Sequence, residues 1–162
     1  IRSGKPRHQE RTETMKNAKE MVWKDKDLEA RYRRNLEAME ERHRRHPKLA
    51  SPWALPYKVF TENSMHGIQN MRIRWLIANR PQEYREMMMA NVLEQHLRET
   101  ERRTRHQYGR NMDMLMEQRH LKRRTDVMAA HPEITETDRY YGMIQAQHGA
   151  MDMAIHEIVE SY

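Results

Sequence analysis

Fifty residues separate Pro81 from Pro132, and they contain no proline and a single glycine, Gly109. Within them the run 98–111 carries no aliphatic side chain, and Tyr108 is its only large, partly apolar one. Such a run cannot line a compact core. Its flanks nevertheless show helical apolar spacing, with Met87, Met88, Val92, Leu93 and Leu97 before it and Met112, Leu115, Met116 and Leu121 after it. One helix through the whole stretch would be roughly 75 Å long at about 1.5 Å per residue. The expectation is a helical strut over 81–131 that crosses solvent or lies along a larger assembly. Gly109 is its candidate kink, costing about 1 kcal/mol against alanine.

Ile, Leu, Val and Phe together number 23 of 162 residues. So low a content signals disorder when net charge is high. Here 30 basic residues face 24 acidic ones, for a net +6, and 15 methionines add apolar surface. Methionine is a helix former that fits irregular gaps, so helix is favoured over disorder. The expected fold is all-α and elongated: two long helices, a shorter apolar helix and a C-terminal amphipathic helix, joined in part by an extended proline–aromatic connector. It is read as one non-globular unit whose burial partners complete. The absence of cysteine excludes disulfides, thiolate metal sites and cysteine nucleophiles. No apolar run approaches the length of a membrane span. The chain begins at Ile1, as expected of a processed or trimmed terminus, and loss of a mitochondrial presequence would account for it.

Residues 1–9 form a basic extended arm. A long charged helix is predicted over 10–46, with Met15, Ala18, Val22, Leu28, Tyr32, Leu36 and Met39 as a drifting stripe. Glu20–Lys24, Asp27–Arg31, Glu29–Arg33, Glu40–Arg44 and Glu41–Arg45 place acid before base at i,i+4, each stabilising an exposed helix by about 0.2–0.5 kcal/mol. Pro47 ends it. The connector, 47–61, offers Trp53, Tyr57 and Phe60 as stiffly presented anchors, for a partner or for the chain's own helices.

An apolar helix over 62–80 follows, with Thr61 as its N-cap. Pro81 suits the first turn of the strut. Beyond Pro132, Thr135 and Asp138 have capping-box spacing and open the C-terminal helix of 132–162. There Tyr141, Ile144, His148, Met151, Ile155, Ile158 and Tyr162 recur in steps of three and four, the seam of a coiled coil or of a helix in a groove. From Glu133 onward one base meets six acids, a net −5, which leaves +11 for the rest.

Glu-x-x-His occurs twice, as Glu40–His43 and Glu117–His120, the spacing that helical di-metal centres use. Chance placement yields about as many, and the neighbouring Arg42, Arg44, Arg45, Arg119, Arg123 and Arg124 would repel cations. His43 and His46 also have ligand spacing, but they suit a basic helix end better. The glycines form no phosphate loop or nucleophile elbow. No catalytic residue, metal site or cofactor is assigned, and the chain is not read as an enzyme. Arg102, Arg103, Arg105, Arg123 and Arg124 are the candidates for anionic contact with rRNA or lipid.

The expected role is a non-catalytic accessory subunit of a large mitochondrial inner-membrane energy complex, ATP synthase first or a respiratory complex. It would sit peripherally on the matrix side, bracing a part such as a peripheral stalk. In general character the chain resembles accessory subunits of that kind. The partner contacts are placed at Trp53, Tyr57, Phe60, Tyr141, Ile144, Met151, Ile155, Ile158 and Tyr162. The alternative is a mitochondrial ribosomal protein, with the central basic helix on rRNA.

Overall fold

The computed structural model describes residues 21–48 and 67–161. Among these the chain is all-α, with six helices and no strand. They are α1 (Lys26–Arg45), α2 (Gly67–Asn79), α3 (Pro81–Met89), α4 (Leu93–Gln118), α5 (Thr125–Ala130) and α6 (Glu136–Ala154). A single wide helical turn, Ile155–Val159, continues α6. The chain divides into two compact units. The first comprises the described residues of Ile1–Met65 with Leu76–His96, and the second those of His66–Trp75 with Leu97–Tyr162.

In the first unit the predicted helix over 10–46 is shorter than expected where it can be followed. Residues 21–25 are not helical, and α1 starts at Lys26. Three hydrogen bonds explain the late start. The Glu86 carboxylate of α3 accepts the backbone N–H of Lys24 and of Asp25, the latter at 2.9 Å, and Gln82 Nε2 donates to the Val22 carbonyl at 2.8 Å. These bonds compete with helix for the same backbone groups. Asp25 then caps α1, its carboxylate accepting from the N–H of Asp27 and of Leu28. The extended segment delivers Trp23 to a small core with Tyr32 and Met89, ringed by Met21, Leu28 and Met88. The Trp23 and Tyr32 rings lie 5.4 Å apart. Of the predicted i,i+4 ladder, Glu29–Arg33 and Glu41–Arg45 form, each at 2.7 Å. Arg31 instead turns to the Ala90 carbonyl at the end of α3, at 3.1 Å.

The predicted strut over 81–131 is not one helix but three. Neither break carries a proline or a glycine. At the end of α3, Asn91 takes φ 57°. Its N–H then donates to Met88 at 3.2 Å, and the Val92 N–H to Met87 at 3.0 Å. At the end of α4, His120 takes φ 54°, with its N–H on Glu117 and the Leu121 N–H on Met116. Both are left-handed stops that satisfy the last carbonyls while turning the chain. Gly109 breaks nothing: it lies inside α4, and a methyl group there would meet open space.

In the second unit, α6 packs on α4 through small residues. Ala146, Ala150 and Ala154 are fully buried. Gly142 approaches so closely that a Cβ on it would lie 2.8 Å from Leu121 Cδ1, and one on Gly149 would lie 3.6 Å from Leu115. Asn111 of α4 donates to the Ala150 carbonyl at 3.2 Å. The residues fully buried on α6 are therefore Ala146, Ala150 and Ala154, while the described residues of the seam predicted as a partner contact are half-buried or exposed. The capping box is present, with Thr135 Oγ1 accepting from the Asp138 N–H and Asp138 Oδ2 from the Thr135 N–H.

Two buried arginines hold helix ends in this unit. Arg139, 3% exposed, donates to the carbonyls of His120 at 3.0 Å and Lys122 at 3.4 Å. Arg72 of α2 donates to those of Val159 at 2.7 Å and Ser161 at 2.9 Å, and its guanidinium lies 4.6 Å from the Trp75 ring centre. A cation at a helix C-terminus is stabilised by the backbone dipoles it faces. With few aliphatic side chains available, buried charge–carbonyl bonds close the ends that packing alone does not.

Candidate docking groove

A groove of about 550 Å³ opens where α4 meets the end of α6. Gln107, Arg110, Asn111 and Met114 line it from α4, and Met153, His156 and Glu157 line it from the last turn of α6 and the wide turn that follows. All seven belong to the second unit. The Glu160 N–H reaches back five residues to the Ile155 carbonyl, at 3.1 Å, and this extra residue per turn sets the placement of His156 and Glu157. Arg72 secures the far end of the turn through the Val159 carbonyl.

The groove wall on α4 is fixed from beneath. Gln107 donates to Asn111 Oδ1 at 3.0 Å, while Asn111 donates to the Ala150 carbonyl. Met114 and Met153 stay 38% and 41% exposed, so apolar surface remains in contact with water. His156 lies against Glu160, at 3.3 Å. Arg110 and Glu157 form no ion pair with any described residue or with each other. Flexible apolar side chains between two uncommitted opposite charges suit protein recognition: methionine adapts its shape, and the charges set orientation.

The predicted anionic-contact residues are differently committed. Arg102 is paired with Glu99 at 2.6 Å and Arg105 with Glu101 at 2.8 Å. The Arg102 hydrogen bond holds the Glu99 carboxyl below its ordinary range, and bonds from Gln69 and then Arg105 do the same for Glu101. Arg123 pairs with Glu136 at 2.9 Å and Arg124 with Asp126 at 2.7 Å. Arg103 is exposed on α4. The basic run is thus largely matched by the helix's own acids and its neighbours'.

Of the predicted partner contacts, Trp53, Tyr57, Phe60 and Tyr162 lie outside the described residues. Tyr141 is 61% exposed and edge-on to Tyr140, with ring centres 5.5 Å apart. Ile144, Met151, Ile155 and Ile158 are half-buried. None of the five described ones lines the groove. Of its lining, Gln107, Arg110 and Asn111 fall within the polar run 98–111 and Met114 just beyond it. The second Glu-x-x-His pair is drawn apart: Glu117 of α4 pairs with Lys122 at 3.0 Å, while the His120 ring, past the helix end, stacks on His131 with centres 3.9 Å apart. Among the described residues no group of three or more metal-ligating side chains is gathered.

Comparison with protein-family models, with curated proteins and with solved structures finds no match to this chain.

Proposed function

We propose that this chain is a non-catalytic structural subunit of a large mitochondrial inner-membrane energy complex, ATP synthase foremost or a respiratory complex. In this reading it is held peripherally on the matrix side by contacts with neighbouring subunits. The observation that carries the structural role is the groove between α4 and the wide turn, where a chain poor in apolar side chains leaves two methionines half-exposed beside charges that pair with none of the described residues. Exposed apolar surface framed by polar groups is the signature of a protein contact. α4 supplies reach, its 26 residues spanning roughly 39 Å at about 1.5 Å each. Among the described residues no helix is long and apolar enough to cross a membrane. The assignment to a mitochondrial energy complex rests on the sequence's charge balance, length of helix and lack of cysteine.

The ribosomal alternative draws on the basic run of α4, and the ion pairs of Arg102 and Arg105 weigh against it. Sedimentation of lysed mitochondria, with and without ribonuclease and followed by mass spectrometry, tests the proposal. Co-migration with ATP synthase or respiratory subunits, unchanged by ribonuclease, is the expected result. Migration with a ribosome-sized particle that ribonuclease dismantles would replace it with the ribosomal reading.

A further inference from the structure

The groove's chemistry narrows the kind of neighbour it takes, given the structural-subunit reading on which this step rests. Both walls are helical, α4 on one side and the end of α6 on the other, so their backbone bonds are made within the helices. No strand edge is offered, and an added β-strand would find no backbone to pair with. Recognition must run through side chains. The groove's apolar lining is adaptable, Met114 from α4 and Met153 from α6. Arg110 and Glu157, each without an ion-pair partner among the described residues, share the lining with them.

A nucleic acid would gain one arginine there and meet the carboxylate of Glu157, with no aromatic ring in the lining for a base to stack on. An anionic lipid surface would meet the same carboxylate. A helix carrying an apolar side chain with acidic and basic ones about a turn away meets both methionines and both charges of the lining.

We infer that the groove receives one amphipathic helix of a neighbouring subunit, its apolar side chain seated between Met114 and Met153, an acidic side chain at Arg110 and a basic one at Glu157. The charges give the contact a polarity, since a helix docked the other way round would place like charges together.

A photo-reactive amino acid placed at Met114, and separately at Met153, in the full-length chain tests this after assembly in cells. The expected result is that both positions link to the same helix-forming segment of a different protein, with acidic and basic residues flanking its linked apolar one. Arg110→Glu and Glu157→Lys should each lower incorporation into the particle by roughly tenfold or more, as loss of a central charged contact does. Arg102→Glu, on the ion-paired part of α4, should leave it nearly unchanged. Links to RNA, to lipid, to this chain or to a second copy of it, distinguished by isotope mixing, would each overturn the inference. Links to two unrelated segments, or normal incorporation of both charge-reversed chains, would do the same while leaving the structural-subunit reading intact. A chain that enters no particle at all would remove both.

Discussion

Glu86 gives the sharpest test of how this fold is held, because a buried carboxylate organises a backbone segment sixty residues away in the chain. It is 2% exposed and accepts three hydrogen bonds, from the N–H of Lys24, the N–H of Asp25 and the amide of Gln82, the last two at 2.9 Å. Hydrogen bonds to a charged group contribute about 1.5–3 kcal/mol each. The two backbone donors belong to exposed residues, so water replaces part of what is lost and the lower figure applies. Glu86→Ala should therefore cost about 4 kcal/mol. Glu86→Gln keeps one accepting oxygen but turns an NH2 toward a backbone donor, and should cost about 2 kcal/mol. Urea unfolding gives the totals, and amide exchange at Lys24 and Asp25 gives the local effect. Trp23 should leave its core with Tyr32 and Met89 in the alanine variant, red-shifting its emission. A loss below about 1 kcal/mol with both amides still protected would refute the argument that Glu86 holds the extended segment.

Other substitutions probe the helices separately. Gly109→Ala should stabilise the protein by roughly 0.5–1 kcal/mol in thermal melts, because α4 passes through this exposed glycine and the added methyl meets nothing. Gly142→Ala should destabilise despite alanine's better helix propensity, by about 1–3 kcal/mol, since its Cβ would lie 2.8 and 2.9 Å from the two Leu121 methyls. A Leu121→Ala background should remove that penalty in a double-mutant cycle. Arg139→Met should cost about 2–3 kcal/mol by leaving the His120 and Lys122 carbonyls without their donor, read by the same melts. Bonds from the Thr135 side chain and backbone hold the Asp138 carboxyl below its ordinary 3.8. The unfolded chain thus binds more protons, so this contribution is present above pH 3.8 and is lost as pH falls through the lower folded value. Amide exchange in the first turn of α6 should rise at acid pH, and Asp138→Asn should flatten that dependence.

By itself the sequence determined the all-α class, the stop at His46–Pro47, Pro81 in a first helical turn and the Thr135–Asp138 capping box. Each is a local matter, decided by a fixed φ, a missing N–H or a side chain that reaches its own backbone. The turns at Asn91 and His120 were not legible, because left-handed stops at residues other than glycine depend on what the following chain packs against. Apolar spacing pointed to Tyr141, Ile144, Met151 and Ile155 as a docking seam, whereas the fully buried residues of α6 are Ala146, Ala150 and Ala154, and α4 meets it at Gly149 and Ala150. Small residues carry a weak apolar signal in a sequence, yet they let two backbones approach, and that approach exists only once both helices are placed. The buried charges of Glu86, Arg72 and Arg139 were hidden for the same reason. Their partners are backbone groups from distant turns, which the tertiary fold alone brings within reach.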